Sequence, residues 1–99
     1  MSENADDLIA VFNKNLEHEY INEIAYEQIL GYSNIDIIGK SALNFIHPDD
    51  VGKSKKIFFE IFKKGEGKKT RESRLKHKNG QSIWFESKGI ILKEVISVS

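Results

Sequence analysis

Arg74-Leu75-Lys76-His77-Lys78-Asn79-Gly80-Gln81-Ser82-Ile83-Trp84-Phe85-Glu86 is the stretch whose reading decides the fold. Asn-Gly is the strongest two-residue hairpin signal, because both residues tolerate the positive φ of a type I′ turn. It predicts a charged strand, Lys69–Lys78, a return strand, Ser82–Leu92, and a last β segment at Val95–Ser99. Side chains alternate between the two faces of a strand. With Leu75 in the core between Arg74 and Lys76, Ser73 also points inward. Across the turn Ile83, Phe85, Ser87, Gly89 and Ile91 point inward, while Trp84, Glu86, Lys88 and Ile90 point outward.

Upstream of the hairpin, Val51–Lys64 reads as the longest helix. Val51, Ser54, Ile57, Phe58, Ile61 and Phe62 fall on one stripe, with lysines and Glu60 mostly opposite. Before it, His47-Pro48-Asp49-Asp50 reads as a stop and a start: Pro48 disfavours helix at His47, and an Asp caps the long helix. Ala42–Ile46 is a short turn. Ser33-Asn34-Ile35-Asp36 has the spacing of a capping box, closed at Gly39. Asn22 is a natural N-cap for a helix that carries Glu23 in its first turn and ends at Gly31. Leu8–Asn13 and Glu17–Ile21 make an opening hairpin, and residues 1–7 read as a disordered or extended tail. The order is β-β, short helices, one long helix, then β-β-β. That is an α+β domain, helices grouped on one face of an antiparallel sheet.

Composition narrows the function. The 99 residues are one domain's worth, and fifteen basic residues balance fifteen acidic ones. The charge is unevenly placed, with ten acids in residues 1–50 and eleven Lys or Arg in residues 51–78. Most of these are lysines on the outer side of one amphipathic helix and on a strand edge, so they read as a solvated face and not as a nucleic-acid surface. No apolar run approaches the roughly 18 residues of a membrane span. There is no cysteine, hence no disulfide, thiolate nucleophile or thiolate metal site. The three histidines, His18, His47 and His77, share no metal-ligand spacing. Asp49 and Asp50 are explained by capping, and no phosphate loop or nucleophile elbow occurs, so no enzyme is expected. A cytoplasmic location is expected by elimination.

Taken in order, Asn22, then Gly31-Tyr32-Ser33, Ile38-Gly39-Lys40, Phe45-Ile46-His47-Pro48-Asp49-Asp50, Arg74-Leu75, Lys78-Asn79-Gly80 and Ile83-Trp84-Phe85-Glu86 resemble the PAS family of sensor domains. The resemblance spans nearly the whole chain. Its departures are one extra residue between Asn22 and Gly31 and a short loop before Val95. It implies a five-stranded antiparallel sheet with the last strand in its middle, the short helices and the long helix closing over one face. It also implies a module excised from a longer two-component or transcriptional regulator, with an output domain such as a histidine kinase.

Domains of this family often hold a small molecule between sheet and long helix. Inward residues make Phe45, Ile57, Phe58, Ile61, Ser73, Leu75, Phe85 and Ser87 the candidate pocket, with Ser73, Ser87 and His77 as its polar candidates. Ala10, Ser73, Ser87 and Gly89 are small residues that argue for a cavity, since native cores otherwise pack densely. A flavin photosensor of the family needs a cysteine for its adduct, and a haem sensor an axial ligand, commonly a His on the long helix. This chain has neither, so neither haem nor flavin is expected, and the ligand would be an unidentified small apolar molecule. On the outer face Ile9, Val11, Trp84 and Ile90 would form an apolar patch, an expected homodimer interface. The alternative is a structural protein–protein interaction module without a ligand.

Overall fold

The computed structural model describes residues 7–64, 71–88 and 91–94. Strands β1 (Leu8–Phe12) and β2 (His18–Ile21) come first, then helices α1 (Glu23–Leu30) and α2 (Asn34–Ile37), a 3-10 turn (Ala42–Phe45) and the long helix α3 (Pro48–Lys64). Strands β3 (Arg71–Lys76), β4 (Ser82–Lys88) and β5 (Ile91–Glu94) complete the order. The strands pair antiparallel in the order β2-β1-β5-β4-β3.

The last strand among the described residues, Ile91–Glu94, does lie centrally, and the expected segment Val95–Ser99 falls outside those residues. Lys88 pairs with Ile91, so the expected return strand Ser82–Leu92 is two strands with two residues between the paired positions. No Asn-Gly marks that reversal, and an unbroken apolar run hides it from a period-two reading. Residues 89–90 and 95–99 lie outside the described residues, as do 1–6. Asp7, expected in the tail, is buried, and its carbonyl accepts from Asn22 Nδ2 at 2.8 Å.

The Asn79-Gly80 turn forms, but not as type I′. Gly80 has φ +97°, whereas Asn79 is not among the positive-φ residues. The Gly80 amide donates to the His77 carbonyl at 2.9 Å and the His77 amide to the Gln81 carbonyl at 2.6 Å. This is a type I turn followed by a left-handed glycine, the three-residue hairpin connection. Asn79 contributes through its side chain, whose Oδ1 accepts from the Gln81 amide. Gly80→Val forces a β-branched residue to φ +97° and is expected to cost at least about 1 kcal/mol. A urea midpoint equal to wild type would contradict it.

Helix α1 begins and ends where expected, with Gly31 at φ +82°, but Asn22 does not use its side chain as a cap. Asn22 Oδ1 accepts from the Ile9 amide at 2.7 Å, so this side chain ties α1 to β1 instead. Gly31 sits against the β3–β4 hairpin: a Cβ there would lie 3.2 Å from His77 Cε1 and from Lys78 Cβ. The Lys78 amide donates to the Leu30 carbonyl at 2.8 Å, and Tyr32 Oη to the Lys76 carbonyl at 2.8 Å. Asp36 accepts from the Ser33 amide and from Lys78 Nζ, which together hold its carboxyl below the usual carboxylate range. One end of the small helices is thus pinned to the hairpin.

Helix α3 starts three residues earlier than expected, at Pro48. Proline suits a first helical position because its missing N–H would be unpaired there anyway. The cap is His47, whose Nδ1 accepts from the Asp49 amide at 3.1 Å. Asp50 is therefore free for a different task. Its Oδ2 accepts from the Arg74 amide at 2.8 Å and from Nε at 3.1 Å, and its Oδ1 from Nη2 at 3.0 Å. The Arg74 carbonyl accepts from the His47 amide at 2.9 Å. Strand β3 is a sheet edge, and open edge groups invite unwanted pairing. Here the start of α3 covers them. The Arg74 guanidinium also lies 4.9 Å from the Trp84 ring, its cross-strand partner.

Candidate functional site

The start of α3 is fixed on the β3 edge, so the rest of the helix runs over the inner face of the sheet and a cavity remains between them. Its volume is ≈ 70 Å³, taken as space open to the centre of a water-sized sphere. One water needs about 10–15 Å³ on that measure, so the space exceeds a packing defect. Helix α1 contributes Tyr26 and Leu30, and the 3-10 turn and its flank contribute Ala42, Phe45 and Ile46. Helix α3 presents Lys53, Ser54, Ile57 and Phe58, while the sheet contributes Phe12, His18, Glu72, Ser73, Leu75 and Ser87.

Of the expected pocket residues, Phe45, Ile57, Phe58, Ser73, Leu75 and Ser87 come together on this wall. Phe85 does not line it. Its ring is fully buried in the core with Leu8, Leu30 and Ile37, because alternation gives the inward face but not the depth at which a ring stops. The Ile61 side chain lies outside the described residues. His77 is not a cavity residue: its Nδ1 accepts from the Asn79 amide at 2.9 Å within the hairpin.

Sequence reasoning missed His18, Tyr26, Tyr32 and Ser54. His18 is 5% exposed. Its backbone amide and its ring Nδ1 both reach the Lys40 carbonyl, at 2.9 and 2.8 Å. A carbonyl only accepts, so Nδ1 carries the hydrogen and, in the neutral ring, Nε2 is a bare acceptor. Gly39, at φ +83°, lets the loop turn back, and its amide donates to the His18 carbonyl at 2.8 Å. Burial pushes the His18 pKa down, opposed in part by the Lys40 carbonyl. The signal available in the sequence was Gly39-Lys40, but nothing local links it to a residue 22 positions back.

His18 also sits in a row of edge-on rings. Phe58 and Phe12 are 5.5 Å apart, Phe12 and His18 4.8 Å, His18 and Phe45 5.5 Å, and Phe45 and Tyr32 5.1 Å. Such geometry is the favourable one for aromatic quadrupoles. At the rim, Lys53 Nζ donates to the Glu72 carbonyl at 2.9 Å, and both residues are exposed. Among the described residues no group of His, Asp or Glu is arranged to hold a metal ion. The cavity is thus apolar and aromatic, with a few hydroxyls and one imidazole. It can enclose a small molecule, and among the described residues no hydroxyl on its wall is hydrogen-bonded to the imidazole.

On the outer face, Val11 and Trp84 are exposed, at 37% and 44%. Ile9, expected beside them, is only 8% exposed. Ile90 lies outside the described residues. No helix among those described is long and apolar enough to cross a membrane.

Comparison with known proteins agrees with this architecture. A family profile described as the PAS fold matches residues 19–96. No curated protein matches the sequence. Among solved structures, the PAS domain of the quorum-sensing receptor RpfR from Cronobacter turicensis, in complex with BDSF, superposes with a TM-score of 0.76 at 17% identity. The match covers 97% of this chain and 100% of that one. The same domain in complex with C12:0 gives the same TM-score, identity and coverage. At that identity the likeness is one of fold.

Proposed function

Because this chain belongs to the PAS family, we propose that it is a sensing module that takes up a small molecule with an apolar body between its sheet and α3. The observation that carries this reading is the ≈ 70 Å³ left open among Phe45, Ile57, Phe58 and Leu75. Interiors without a ligand pack to near-crystalline density, and a site built of apolar and aromatic side chains with a few polar groups is the usual form of a small-molecule pocket. The fold's likeness to a receptor domain described with C12:0 points the same way. In this reading the module sits in the cytoplasm as part of a two-component or transcriptional regulator, and occupancy of the cavity is the signal. Pairing of two copies through Val11 and Trp84 belongs to the same proposal. Light scattering should then show a concentration-dependent dimer that Trp84→Lys abolishes, and a monomer at all concentrations would remove that part.

The ligand reading is tested by thermal shift with 1-decanol and decanoic acid. A ligand bound by the folded state alone stabilises it by about 2.7 kcal/mol at one hundred times Kd. At least one probe should raise the melting temperature of the wild type. Ser87→Leu, which fills the cavity from β4, should abolish the rise while leaving the far-UV circular dichroism unchanged. A rise retained in Ser87→Leu would move the site elsewhere, and no rise in the wild type with either probe would overturn the reading.

A further inference from the structure

Tyr26 and His18 are cavity side chains with a polar atom that no described residue partners, beside the smaller hydroxyls of Ser54, Ser73 and Ser87. Tyr26 is 3% exposed and lines the cavity, yet its hydroxyl makes no hydrogen bond to any described residue. No fully enclosed side-chain oxygen or nitrogen among the described residues lacks a partner, so this hydroxyl keeps some access to solvent. His18 is 5% exposed and its Nδ1 is committed to the Lys40 carbonyl, which leaves Nε2 with no partner among the described residues. Both atoms are open to water, and a ligand that displaces this water must supply a hydrogen bond in its place. By contrast Tyr32, on the same wall, spends its hydroxyl on the Lys76 carbonyl.

The charge around this pair decides the kind of partner. The charged residues described on the cavity wall are Lys53 and Glu72, opposite in sign and both exposed at the rim, where Lys53 Nζ donates to the Glu72 carbonyl at 2.9 Å. An ionised carboxylate drawn in to His18 would lose its water while the cation on the described wall, Lys53, stays at the exposed rim, which is expensive in an apolar site. A hydroxyl suits both groups, since it donates to a bare ring nitrogen and accepts from a phenol.

We propose that the cavity selects an apolar molecule bearing an uncharged hydroxyl, with His18 Nε2 as the acceptor of its proton and the Tyr26 hydroxyl as the second polar contact. This rests on the ligand-binding reading above and adds the class of head group to it.

The test is a set of three probes of equal chain length, 1-decanol, decanoate and the methyl ester of decanoic acid, titrated calorimetrically into wild type, Tyr26→Phe and His18→Leu. The wild type should bind 1-decanol about tenfold more tightly than either other probe, the usual worth of one net hydrogen bond. Tyr26→Phe removes one oxygen and leaves the ring in place, so it remains informative even where His18→Leu perturbs folding. In each variant 1-decanol should weaken about tenfold, and in His18→Leu the methyl ester, which has no proton for Nε2, should keep its wild-type affinity. Equal binding of all three probes by the wild type, or a preference for decanoate, would overturn the head-group assignment and leave the cavity reading standing. Loss of the methyl ester in parallel with the alcohol in His18→Leu, or an unchanged 1-decanol affinity in Tyr26→Phe, would assign that side chain a packing role and also overturn it. Failure of all three probes to bind the wild type would overturn the cavity reading itself, and this inference with it.

Discussion

Phe85→Ala is expected to lose about 3–5 kcal/mol of folding stability, the range for deleting a buried aromatic ring. Phe85 has no exposed surface and is the largest fully buried side chain described. It stands on β4 opposite Ser73 of β3 and Glu94 of β5, so its ring fills the layer where the sheet meets α1 and α2. The neighbours are held by strand pairing and cannot close over the gap. A domain of this size has only about 5–15 kcal/mol of stability, so the variant should be near the edge of folding at 37 °C. Phe85→Leu keeps most of the volume and should lose less than about 1.5 kcal/mol. Urea unfolding of both variants checks the ranking, and a loss below about 1 kcal/mol in Phe85→Ala would mean that the ring is not a core anchor.

Asp50→Ala has the second largest expected effect, about 2–3 kcal/mol. The Asp50 carboxylate is buried and accepts three hydrogen bonds from Arg74, one from backbone and two from the guanidinium. Removing it leaves the Arg74 amide on the β3 edge without its acceptor. The guanidinium side chain is 26% exposed and can recover water, so the loss falls short of that for a fully buried pair. The two single losses, Asp50→Ala and Arg74→Ala, should not add in the double variant.

The same pair makes a pH prediction. The Arg74 hydrogen bonds, against the opposing cost of burial, hold the Asp50 pKa at about 2, below its ordinary 3.8. Between those values the unfolded chain binds more protons than the folded one, so stability falls as pH falls. The contribution is complete above the ordinary value and lost as pH drops towards 2. Asp50→Ala should therefore flatten the stability curve between about pH 4 and pH 2; an acid limb as steep as wild type would place the dependence on other carboxylates.

What was legible in the sequence was whatever repeats within one turn or one pleat. The run from Glu23 to Gly31, the Ser33–Asp36 pairing and the α3 stripe depend on neighbours at most four residues apart. Alternation likewise put Ser73, Leu75 and Ser87 on the cavity side and Trp84 outside. The misses lie at long range. Asp50 looks like a cap from its position after Pro48, and only the fold brings it to Arg74, 24 residues on. Asn22 fits a cap by type, but Ile9 and Asp7 take its side chain. His18 gained its role from the Lys40 carbonyl, and the start of β5 was read as part of the return strand because the reversal after Lys88 carries no turn signature as clear as Asn79-Gly80.

The central claim is that a ligand lies between the sheet and α3. Intermolecular nuclear Overhauser effects between the isotope-labelled protein and unlabelled 1-decanol test it most directly. The alkyl protons should show contacts to Phe45, Ile57, Phe58 and Leu75, which the 3-10 turn, α3 and β3 bring together at this cavity. A second hydrophobic surface exists at Tyr20, Ile35 and Ile38, all exposed, and serves as the internal alternative. Contacts confined to those three residues, or none to the cavity wall at saturating ligand, would contradict the account.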